Sequence, residues 1–90
     1  MRRQRTLTLS LDQREELIDH RDHDPRPDVR VRCAAILKIA DGKSPYWVAR
    51  EGLLKPHHPD TVYGWLNHYE QGGLEQLLEH RHGGNRYVPL

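Results

Sequence analysis

Cysteine is nearly absent from this chain. The single Cys33 lies in the apolar run CAAILKIA, so no disulfide can close within the chain and nothing calls for an oxidising compartment. A cytoplasmic location is the default expectation. Long apolar runs are missing too. No stretch approaches the roughly 18 residues that span a bilayer, and MRRQRTLTLS lacks the apolar block of a secretory signal. No membrane partner is expected. Apolar surplus is also scarce: a mean hydropathy of -0.91 and 36% hydrophobic residues fill a modest core but leave little for a deep ligand cavity. No small-molecule substrate is expected. The machinery of catalysis is missing as well. Ser10 and Ser44 sit where helix caps are needed, and the acids are scattered over the first helical segment. Gly83-Gly84 lacks the lysine and hydroxyl residue of a phosphate-cradling loop. The expectation is a protein with no catalytic residue and no cofactor.

What is present fits one small domain, since 90 residues and 10.6 kDa support a single core. The net charge of +1 conceals a strong pattern along the chain. Residues 1–10 form a basic arm, with Arg2, Arg3 and Arg5 facing no acid. From Leu11 to Asp24, two arginines face six acids; from Pro25 to Gly73, seven cations face five acids. Arg81 and Arg86 make the irregular tail, residues 80–90, basic again. A polyanionic partner would be held at both ends.

Helix punctuation recurs between the arms, over residues 11–79. Ser10 and Gln13 have capping-box spacing and predict a first helix over about Leu11–Arg21. Pro25 and Pro27 interrupt it, and Asp24 or Asp28 is positioned to cap a second helix. There Val29, Cys33, Ile36, Leu37 and Ala40 recur at helical spacing, with Gly42 as the stop. Ser44-Pro45 is a cap and first-turn pair for a short third helix to about Glu51. After a loop of about seven residues, Gly52 to His58, Pro59 opens a fourth helix. In it Val62, Trp65, Leu66 and Tyr69 form an apolar stripe that ends at Gly72-Gly73. Leu74, Leu77 and Leu78 add a turn or two. The fold class predicted is all-α: four to five short helices with a helix-turn-helix core and no convincing strands.

ADGKSPYWVAREGL followed by TVYGWLNHYEQGGLEQLLEHR resembles the N-terminal DNA-binding region of mariner-type insertion-sequence transposases, and related paired-like (homeodomain-like) regulators share the layout. The resemblance covers roughly Arg26 to Arg81. Its most specific run is Thr61-Val62-Tyr63-x-Trp65-Leu66-x-x-Tyr69-x-x-Gly72-Gly73-Leu74. It implies that the third helix lies across the DNA backbone and the fourth reads the major groove. The acidic metal-binding catalytic domain of such transposases has no counterpart in these 90 residues, so strand cleavage is not expected. Double-stranded DNA is the partner implied, for DNA-end recognition or transcriptional regulation.

Burying the stripe turns Asp60, Tyr63, Gly64, Asn67 and His68 outward. Thr61 and Tyr63 can donate to phosphate oxygens, Asn67 can pair with adenine, and His57 or His58 can reach guanine or phosphate. The fourth helix contains no lysine or arginine. Phosphate neutralisation therefore falls to Lys43, Arg50 and Lys55, with Ser44 beside them, and to the arms through Arg2, Arg3, Arg5, Arg81 and Arg86. Histidines would add charge as the pH falls toward about 6. His20 with His23, and His57 with His58, have spacings at which imidazoles can share zinc, but no Cys-x-x-Cys accompanies them and no metal is predicted. A monomer and a two-fold dimer are both open. The alternative is a helical protein-interaction or oligomerisation module that has lost DNA binding, with Tyr46, Trp47 and Tyr63 as anchors.

Overall fold

Local sequence sets each helix start. The computed structural model of the chain describes residues 7–78. Helix α1 (Leu11–His23) opens with the capping box: the Gln13 amide donates to Ser10 Oγ at 3.1 Å, and the Ser10 amide donates to Gln13 Oε1 at 2.9 Å. It runs two residues beyond the expected Arg21, and its C-cap Asp24 donates its amide to His20 O.

Helix α2 (Pro27–Ala40) begins with Pro27 in its first turn, and Arg26 is the N-cap, without a side-chain cap bond. Neither Asp24 nor Asp28 holds the capping position that the sequence suggested. Asp28 lies within the first turn, where a carboxylate suits the helix dipole. Asp24 instead joins two helices. Its buried carboxylate accepts the Arg26 amide at 2.9 Å and the Arg26 guanidinium at 3.0 Å, and it meets His20 Nδ1 at 3.0 Å. The Asp24 carbonyl accepts Arg30 Nη1 at 2.7 Å.

Helix α2 is the centre of the core. Val29, Cys33, Ala35, Ile36, Leu37 and Ile39 are buried along it, while Ala40, expected among them, is half-buried. This burial is wider than a single stripe because α1, α4 and the end of α3 all pack on α2. Gly42, at φ 105°, ends the element in the left-handed region.

Helix α3 (Pro45–Trp47) is capped by Ser44 Oγ, which accepts the Trp47 amide at 3.0 Å. It continues without a break as a π-helical turn, Val48–Gly52, so the third helix has the expected reach but a wider second half. That turn sinks Val48 and Ala49 into the core. Gly52 is needed there, because a Cβ would stand 2.9 Å from Trp47 Cζ3.

Helix α4 (Pro59–Leu78) buries Val62, Leu66, Tyr69 and Leu77. Gly73, at φ 71° and ψ -156°, breaks the helix, which resumes immediately afterwards. Arg32 Nη1 of α2 donates to Leu77 O at 2.9 Å and ties down this last turn. Among the described residues there is no strand, and no helix is long and apolar enough to cross a membrane. Leu7 and Leu9, within the predicted arm, pack on the core.

Candidate nucleic-acid interface

The helix pair α3–α4 is joined by residues 53–58, and two bonds hold this connector to its neighbours. The His57 amide donates to Ala49 O at 2.8 Å, and the Thr61 amide donates to His58 O at 2.9 Å. The His57 ring meets Trp65 edge-on, with centroids 5.4 Å apart. Trp65 is consequently half-buried at the connector, short of the full burial its place in the stripe suggested.

His58 caps α4: its Nδ1 accepts the Asp60 amide at 3.1 Å. The arrangement requires the proton on Nε2, which leaves an N–H donor on an exposed ring at the start of the helix. The loop histidines thus have different positions. His57 faces inward against Trp65, and His58 is open to a ligand.

Along α4, Asp60, Thr61, Asn67 and His68 are exposed, and Tyr63 and Gly64 are half-buried between them. These six lie away from the buried stripe of Val62, Leu66 and Tyr69 and form one outward face. The helix carries Asp60, Glu70 and Glu75 and no lysine or arginine. Asp60, in the first turn, offsets the helix dipole that would otherwise attract a phosphate.

Arg32 of α2 reaches the last turn of α4, and further positive charge lies on α3 and its flanks. Lys43 Nζ lies 5.0 Å from the Trp47 ring centroid. Arg50 Cζ lies 5.6 Å from the Tyr46 ring, and Arg50 Nη1 donates to Tyr46 Oη at 3.0 Å. Tyr46 and Trp47 are 53% and 40% exposed, so neither closes the core; each braces a cation at the surface. Both pairs have i, i+4 spacing, a signal the sequence held that composition and apolar periodicity do not reveal. Lys55 is exposed in the connector, and Ser44 is committed to its cap. Arg2, Arg3, Arg5, Arg81 and Arg86 lie outside the described residues.

A family model described as winged helix-turn helix matches residues 32–88, more than half of the chain. The chain belongs to the winged helix-turn-helix family. The matched span begins within α2 and takes in α3 and α4, while α1 precedes it. No curated protein and no solved structure matched the chain.

The most displaced titrations lie elsewhere. The Arg26 guanidinium and amide, together with His20, hold Asp24 well below the usual carboxylate range. Burial pushes the Cys33 thiol up to about 11. Both groups support the α1–α2 core. His20 and His23 each pair with an acid of the same or the adjoining turn, Asp24 and Asp19. Among the described residues, no group of three or more His, Cys, Asp or Glu side chains is placed to hold a metal ion.

A concavity lies between α2 and the connector. Pro27, Val31 and Ala34 of α2, with Leu53 and Leu54 of the connector, line a groove of about 570 Å³ that Arg21, Arg30, Lys38 and Glu51 also border and that no residue of α4 lines. Leu54, at its rim, is 99% exposed.

Proposed function

We propose that this chain binds double-stranded DNA in a sequence-specific way through its helix-turn-helix, as a transposon-end recognition or transcription-regulating module, with no catalytic step in these 90 residues. The observation that carries the reading is the division between α3 and α4. One short helix presents braced cations, and the next presents a polar face whose opposite side is locked into the core. Helix α4 enters the major groove, and Lys43, just before α3, and Arg50, in its π-helical extension, reach the flanking phosphates.

With no cation on α4, base contacts fall to Asn67, which offers a donor and an acceptor in one plane, and to the Nε2–H of His58. Thr61, Tyr63 and His68 supply phosphate or sugar contacts. Lys55 and the arm residues Arg2, Arg3, Arg5, Arg81 and Arg86 add electrostatic attraction. A monomer would occupy one half-site, and a two-fold dimer a palindrome.

Anisotropy titration of a labelled random-sequence duplex tests this at low salt, at rising salt, and at about pH 6 and about pH 8. Binding that falls linearly in log affinity against log salt supports the reading. Absence of binding at low salt at both pH values overturns it. That outcome would favour a protein-interaction module, for which the exposed Leu54 and its groove are the motivating observation.

A further inference from the structure

Glycine inside a helix is less favourable than any residue except proline, so its presence there calls for a cause. Two causes are common, and neither applies to Gly64. Among the described glycines, positive φ is confined to Gly42 and Gly73, so Gly64 adopts a backbone that any residue can take. Crowding is absent too: a Cβ built on Gly64 meets no heavy atom within 4 Å. By contrast, Gly52 and Gly72 are crowded by Trp47 at 2.9 Å and by Gln76 at 2.6 Å. The fold does not require glycine at position 64.

Its location suggests what does. Gly64 lies one turn after Asp60 and Thr61 and one turn before Asn67 and His68, all four exposed. It is the bare centre of the outward face of α4, a gap one side chain deep between polar side chains. A helix without lysine or arginine draws little of its affinity from charge, so close surface fit must supply more. What fills the gap must be small, and against the bare Cα of a glycine a small apolar group fits best.

We propose that Gly64 is the point at which the α4 backbone comes closest to DNA, a notch that receives the C5-methyl group of thymine, the apolar group that base edges present in the major groove. Gly64 then sets a thymine preference beside the base pair read by Asn67. This inference rests on the DNA-binding reading above.

The test selects duplexes from a random pool with the wild-type protein. It then measures wild type and Gly64→Ala on the selected duplex, with each thymine replaced in turn by uracil, alongside thermal melts of both proteins. Gly64→Ala is expected to melt about 3 to 8 °C higher, because alanine favours the helix. Its affinity for the selected duplex should fall at least about fivefold, since its methyl group fills the notch. Wild type should lose about fourfold at one uracil position, the worth of one buried methyl, and Gly64→Ala should lose nothing there. Equal affinity of the two proteins, or wild-type indifference to every uracil, overturns the notch while leaving DNA binding intact. A lower melting temperature for Gly64→Ala overturns the premise that the fold does not need glycine. If wild type enriches no duplex and binds none at low salt, the DNA-binding reading fails first and the notch fails with it.

Discussion

Helices α3 and α4 are neighbours built on opposite plans. The short α3, with its π-helical extension, keeps Pro45, Val48 and Ala49 inside and turns Tyr46, Trp47 and Arg50 outward, with Lys43 just before it. The longer α4 buries an apolar stripe along its length and shows small or neutral polar groups together with acids. Charge and shape are therefore separated. A cation on a flexible stem binds phosphate at any sequence, whereas a planar amide or a missing side chain discriminates between bases. The contrast teaches that a reading helix without cations needs a charged neighbour. The i, i+4 aromatic braces of α3 give that neighbour fixed geometry at little entropic cost.

The largest effect should come from unseating α4. Leu66 is wholly buried, and Leu66→Ala is expected to destabilise the domain by about 2 to 5 kcal/mol. Melting followed by circular dichroism would register this as a fall of more than about 10 °C, with both helices lost together. Unchanged melting would mean that α4 is not seated as described.

The next two variants separate the helices. Asn67→Ala should cost about 1 to 3 kcal/mol on a selected site and leave random-sequence binding nearly unchanged. Lys43→Ala with Arg50→Ala should do the reverse, weakening all duplexes alike and reducing the salt slope by about 2. Competition assays on selected and random duplexes read both. If the two variants behave identically, the separation of charge from shape is wrong.

The smallest effect concerns the α1–α2 junction, outside the outward faces of both helices. Asp24 titrates below its ordinary value in the folded chain, so its stabilising contribution is complete above the unfolded value of about 4. That contribution declines as the pH falls from there toward the folded value. Asp24→Asn should melt lower than wild type near neutrality and lose less on acidification. Parallel melting-against-pH curves for the two proteins would remove Asp24 from this role.

Much of the architecture was legible because helix starts are local. Ser10 with Gln13, Ser44 with Pro45, and Pro59 each state a cap or a first turn within a few residues. What could not be read depends on how elements approach. Asp24 acts as a junction because the chain turns between α1 and α2 there, so that its carboxylate meets His20 and Arg26 and its carbonyl meets Arg30; a carboxylate beside a proline-rich break reads equally well as a helix cap. The π-helical turn, which buries Val48 and Ala49, has no signal in the spacing of these residues. Trp65 shares the period of Val62 and Leu66, yet its ring is drawn toward His57 by the return of the connector. For the interface, the outward face of α4 followed directly from the buried stripe. The bracing of Lys43 and Arg50 did not, because which side of so short a helix stays exposed is set by what packs against it.

The two tryptophans divide between α3 and α4. Trp47 stands on the outer face of α3 beneath an ammonium group, and Trp65 lies at the connector, edge-on to an imidazole. Ultraviolet emission from the native protein therefore has one source open to collisional quenchers and one partly sheltered from them. Replacing either indole with phenylalanine leaves a single lamp. Ligand arrival at α3 and rearrangement of the connector then become separately visible, with no dye attached.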